Sequence, residues 1–103
     1  MAQVTAIART TSAVAYTDAA SKPFDSSKYS SVIVSADNLA GVEEVDIYAL
    51  SGGTWKAVVN VSGTAQKLTA SIPHLKLESG PLYKCAKDAT AGACGVYFDM
   101  SAA

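Results

Sequence analysis

Charge is scarce in this sequence. Of 103 residues 17% are charged, eight Lys and Arg against nine Asp and Glu, for a net charge of −1. A globular domain usually carries ~25%. The basic residues are scattered and form no run. A protein that grips a phosphate backbone needs a concentrated Lys/Arg patch to displace counterions, so no nucleic acid is expected as a partner. No apolar run approaches the ~18 residues of a membrane-spanning helix, so no membrane partner is expected. The opening stretch MAQVTAIARTTSAVAY has no basic start, and Gln3, Thr5 and Arg9 interrupt its apolar part. It does not read as a secretory signal, and synthesis in a reducing cytoplasm is expected. Sustained helical periodicity, internal repeats and low-complexity tracts are absent as well.

Residues that carry chemistry are equally few. His74 is the single histidine and follows Pro73. A nucleophilic triad would need it beside a Ser and an Asp, but no Gly-x-Ser-x-Gly elbow marks a serine, and a surface loop position is expected for it. Cys85 and Cys94, with eight residues between them, and one histidine are the wrong count and spacing for zinc. Gly52-Gly53 and Gly92 make no phosphate loop. Glu43, Glu44 and Asp46 read as the wet face of a strand rather than a paired acid and base. A non-enzyme is therefore expected, with no catalytic, cofactor-binding or metal-ligating residue and no cofactor. Five Tyr and one Trp could supply a sugar-stacking platform, but the hairpin register that burial favours turns Trp55 inward, and Tyr97 alternates with Val96 and Phe98.

What the chain does contain is alternation. Val45, Ile47 and Ala49 alternate with Glu44, Asp46 and Tyr48, and Trp55, Ala57, Val59 and Val61 recur at every other position after Ser51-Gly52-Gly53. Two period-two runs around a Gly-rich break predict a β-hairpin. A two-residue Gly52-Gly53 loop would pair Ser51 with Thr54 and put the two apolar sets on opposite faces. A three-residue loop, Ser51 to Gly53, pairs Leu50 with Thr54 and places Ala49 by Trp55, Ile47 by Ala57 and Val45 by Val59 on one face. Burial favours the second register, with a longer loop of the same parity as the alternative.

Further strands are expected at 31–36 (SVIVSA), at 66–72 with Leu68, Ala70 and Ile72 inward, at 82–87 and at 95–100. Pro73 ends the second of these regions, and 74–81 reads as a bend. Short strands punctuated by Gly, Ser and Asn predict an all-β fold, a small antiparallel β-sandwich or barrel. Residues 1–28 form an extended N-terminal segment ahead of a β-sandwich domain at 29–103. Gln3, Val4, Thr5, Ile7 and Arg9 belong either to an arm that adds as a strand to a neighbour or to an ordinary edge strand of the same domain.

If 82–87 and 95–100 form a hairpin, Cys85 lies opposite Cys94. Opposed residues in a non-hydrogen-bonded pair have Cα atoms ~4.5 Å apart, within disulfide range. The pair is then either a bridge formed after release from the cell or two packed thiols.

The runs AGVEEVDI at 40–47, GGTW at 52–55 and AGACGVY at 91–97 resemble stretches of short virion-associated proteins of tailed bacteriophages, several of them capsid decoration or head accessory proteins. The resemblance covers about residues 30–100. It implies a non-enzymatic virion structural protein on the outer capsid surface, bound to the major capsid protein or another virion protein, monomeric or oligomeric. The alternative is a virion- or tail-borne module that binds a host receptor or glycan.

Overall fold

The structure, a computed structural model, describes residues 2–60 and 62–102. Its strands are β1 (Ala2–Thr10), β2 (Phe24–Asp25), β3 (Tyr29–Ala36), β4 (Val45–Ser51), β5 (Thr54–Ala57), β6 (Lys67–Leu68), β7 (His74–Leu77), β8 (Leu82–Lys87) and β9 (Cys94–Ala102). No helix occurs among the described residues. One sheet runs β1-β9-β3-β7; the other runs β2-β8-β4-β5, with β6 also on β4. Every strand pair is antiparallel. The protein is a small all-β sandwich.

Period-two burial builds the core. Val32 and Val34 on β3, and Val96, Phe98 and Met100 on β9, face Val45 and Ile47 on β4 and Tyr83 and Cys85 on β8. Phe98 joins the layers: its ring stacks on Phe24 at 4.6 Å and lies 6.3 Å from Tyr83, both in the opposite sheet. Residues 1–28 share this core. β1 pairs with β9 from Ala2↔Met100 to Thr10↔Cys94, and a register shift between Thr5 and Ile7 turns two successive side chains, Ala6 and Ile7, inward. Phe24 enters from the second sheet.

The hairpin corrects the expected register. Ser51 pairs with Thr54, Leu50 with Trp55, Ala49 with Lys56 and Tyr48 with Ala57. The loop is the two-residue Gly52-Gly53, whose φ angles of 59° and 80° are both left-handed, as a type I′ turn needs. The turn wins because β5 is only four residues long and lies at the sheet edge. Its burial preference is weak, and Val58, just beyond it, supplies the side chain that packs on the core. Trp55 consequently lies half-buried on the outer face, while Val59 is 53% exposed. Val61 lies outside the described residues.

Three further expectations change. In 66–72 the strand is only Lys67–Leu68; Thr69 N–H donates to the Ile72 carbonyl and Ile72 N–H to Thr69 Oγ1, so the chain turns and leaves Ile72 52% exposed. The expected bend at 74–81 begins as β7, paired to β3 from Ser35↔His74 to Val32↔Leu77. Pro73 precedes it, where a missing N–H breaks no ladder. β8 and β9 form no hairpin, because β8 lies between β2 and β4 and β9 between β1 and β3, in different sheets. Cys85 sits opposite Ile47 and Cys94 opposite Thr10, and both thiols are free and buried.

The connection between β8 and β9 is held by polar groups. Lys87, 4% exposed, donates from Nζ to the carbonyls of Thr10 (3.1 Å), Ser12 (2.8 Å) and Asp88 (3.0 Å), and lies 3.3 Å from Thr90 Oγ1. A buried ammonium is tolerated because acceptors replace its water. Glu43 accepts from the N–H groups of Ala40 and Ala91, 2.9 Å each, joining the 37–44 loop to this connection. The Ala91 N–H, then that of Ala40, holds the Glu43 carboxyl below its ordinary value of 4.5. A depressed carboxyl contributes stability that is present above the unfolded value and lost as pH falls through the folded one. Acid titration below pH 4.5 should therefore lower the hydrogen-exchange protection of the Ala91 amide, taken relative to its intrinsic rate at each pH, before that of the core amides of Val34 and Phe98 falls. Simultaneous loss at all three would disprove this local link.

Candidate functional site

The outer face of the second sheet gathers three of the aromatic residues that the core does not use, Tyr16, Tyr48 and Trp55. Asp46, Tyr48 and Leu50 project outward from β4, between Lys84 of β8 (opposite Tyr48) and Trp55 of β5 (opposite Leu50). The two-residue turn makes this row, since any odd loop would send Trp55 to the other face. Tyr16, from the connection after β1, lays its ring on Tyr48 at 4.6 Å with a 35° tilt. Lys84 Nζ donates to the Tyr16 carbonyl at 3.1 Å and stands 5.4 Å from the centre of the Trp55 ring. The ammonium thus pins Tyr16 and covers one face of the indole. Burial, then the Asp46 charge, raises the Tyr48 phenol above its ordinary 10.0, so its hydroxyl is a donor at neutral pH.

A recess of about 210 Å³ opens beside Tyr48. It exists because β4 changes neighbour: β5 leaves after Ala57 and β6 takes its place at Asp46↔Lys67. Between them the chain makes a separate turn closed by Asn60, whose Oδ1 accepts from Ser62 N, Ser62 Oγ and Thr64 N. Asp46, Tyr48, Ala57, Ala65, Gln66 and Lys67 line the recess. Asp46 Oδ1 is buried there with no hydrogen-bond partner. Lys67 Nζ is 3.5 Å from it and 3.3 Å from Glu44 Oε1, an ion pair with the first and a hydrogen bond with the second. Asp46 chiefly, then Glu44, raises the Lys67 ammonium above 10.5.

Comparison with protein-family models, with curated proteins and with solved structures finds no match for this chain.

A larger cleft of about 480 Å³ lies at the open side of the sandwich, between β7 and the 58–66 turn. Its floor is apolar, from Val58, Leu75, Leu77 and Tyr83, and Gln66 and Glu78 stand at its rim. The third surface is the outer edge of β1. Lys22 N–H donates to the Ala6 carbonyl, but no strand adjoins that edge from Ala2 to Thr5 among the described residues. Of the five residues singled out in this segment, Gln3 donates to Asp99 Oδ1 at 2.9 Å and Arg9 pairs with Asp37 at 3.4 Å. Val4 is 40% exposed and Thr5 is exposed, whereas Ile7, 1% exposed, belongs to the core. His74 is exposed on β7.

The cysteines belong to the core. Burial pushes the Cys85 thiol up to about 12, and burial chiefly also raises Cys94. The thiolate is the nucleophile, so neither should react at neutral pH. Iodoacetamide should leave the native protein unmodified and label both cysteines in denaturant; labelling of the native protein would contradict their placement.

Sequence reasoning missed the outer row because it assigned Trp55 to the core. The signal was present: the Gly52-Gly53 register puts Leu50 and Trp55 on one face. The recess left no sequence signal, because it depends on where β5 gives way to β6.

Proposed function

We propose that this chain is a non-enzymatic structural protein of a bacteriophage virion, a decoration or head accessory domain on the outer capsid surface. Made in the host cytoplasm, it joins the major capsid protein or another virion protein. The phrase-level resemblance of residues 30–100 points in this direction, and the edge of β1 supplies a means of attachment. β1 is nine residues long, with no Pro and no charge before Arg9. Edge strands are normally guarded by charge, Pro, bulges or a cover, and from Ala2 to Thr5 none is present. A strand of a neighbouring protein added there would extend the sheet and cover Val4, which pairs with Phe98 and so points along the inner face. Mass spectrometry of purified virions tests the assignment: the chain should be present in many copies per head, and its absence from virions would overturn it.

The aromatic row of Tyr16, Tyr48 and Trp55 favours a second reading, a virion- or tail-borne module that binds a receptor or glycan. Binding to host cells rather than to heads would support it over the first.

A further inference from the structure

We propose that the recess beside Tyr48 binds a single neutral hexopyranose. The inference rests on the second reading above and is independent of attachment through β1. Its starting point is Asp46 Oδ1, a buried acceptor with no hydrogen-bond partner. Lys67 Nζ, 3.5 Å away, offsets its charge as an ion pair without hydrogen-bonding it, and a ligand hydroxyl would supply that bond. Gln66 lines the recess as well as the rim of the larger cleft. Its backbone N–H is fixed to the Val58 carbonyl at 2.7 Å, while its side-chain amide makes no hydrogen bond among the described residues. That amide offers a donor and an acceptor, the pair a sugar diol needs. Tyr48 forms the adjoining wall, braced by Tyr16, and presents a ring face to ligand C–H groups and a protonated hydroxyl to a ligand oxygen. The small side chains of Ala57 and Ala65 leave the space open.

Size and charge narrow the ligand. At ~30 Å³ per water the recess holds about seven waters, the scale of one ring and too small for a folded segment. An anionic ligand would meet the carboxylates of Asp46 and Glu44; a cationic one would meet the Lys67 ammonium. The two signs together disfavour sugar phosphates and amines and leave an uncharged polyol, with Lys67 as a further donor.

Titration of ¹⁵N-labelled protein with D-glucose, D-galactose, D-mannose and N-acetyl-D-glucosamine tests the proposal. At least one sugar should shift the Gln66 side-chain amide and the backbone of 46–48 and 65–67 saturably, with Kd on the order of 1–10 mM for so small a ligand. Gln66→Ala and Asp46→Asn should each weaken binding about tenfold, the value of one buried hydrogen bond, with a folded spectrum retained. Glucose 6-phosphate should bind more weakly than glucose. The proposal is overturned if no sugar moves these resonances, if both variants bind as the parent does, or if the phosphate binds as tightly. A protein that attaches to phage heads but fails the sugar titration overturns this proposal alone.

Discussion

Phe98→Ala should destabilise the protein by about 3–5 kcal/mol, the range for a large aromatic side chain removed from a packed core. Phe98 has no exposed surface and lies on β9, the strand that β1 and β3 flank. Its stacking on Phe24 at 4.6 Å is a contact between sheets, so truncation opens a void where the layers meet. Neighbours can collapse only partly into such a void. A domain of this size has roughly 5–15 kcal/mol in all, so the loss would be a large share. Urea unfolding followed by tryptophan fluorescence measures it. Val42→Ala, at a residue 94% exposed, is the control and should stay within about 0.5 kcal/mol of the parent. A loss below about 1 kcal/mol for Phe98→Ala would contradict the described core.

Deleting residues 1–10 should have a still larger effect and abolish cooperative unfolding. The deletion removes Ala6 and Ile7 from the core, strips β9 of one neighbour, and takes the Thr10 carbonyl from the buried Lys87 ammonium. Each is a separate loss: apolar burial, a full strand's hydrogen bonds and a partner for a buried charge. Circular dichroism during heating distinguishes the outcomes. A truncated protein that melts cooperatively near the parent's midpoint would make β1 a detachable arm. Attachment through β1 is therefore better probed by a substitution that leaves the strand in place. Val4→Lys puts a charge on an edge position already 40% exposed, a common natural block to strand addition.

Much of the fold is legible in the sequence wherever a strand is long enough for its alternation to exceed local turn preferences. β3, β4 and β8 are read from Val32 and Val34, from Val45 and Ile47, and from Tyr83 and Cys85, each set pointing to one buried face. The hairpin register is different, because two physical preferences conflict there. Burial of Trp55 asks for an odd loop, and Gly52-Gly53 asks for a two-residue one; on a short edge strand the turn prevails. β7 is obscured because His74 to Leu77 offers only two apolar positions after a proline. Consecutive strands usually pair, and β8 and β9 break that tendency by crossing between sheets, which separates the two cysteines. Asp46 is read as outward-facing, and it is; that one of its oxygens is buried in a recess follows from the β5–β6 exchange, a pairing pattern that nothing local encodes.

Co-sedimentation of the purified protein with empty phage heads tests attachment through the β1 edge most directly. Binding should be saturable, and Val4→Lys should reduce it at least about tenfold while leaving the melting temperature nearly unchanged, the pattern of a lost interface rather than a lost fold. Failure to sediment with heads, or binding that Val4→Lys leaves intact, would contradict attachment through that edge.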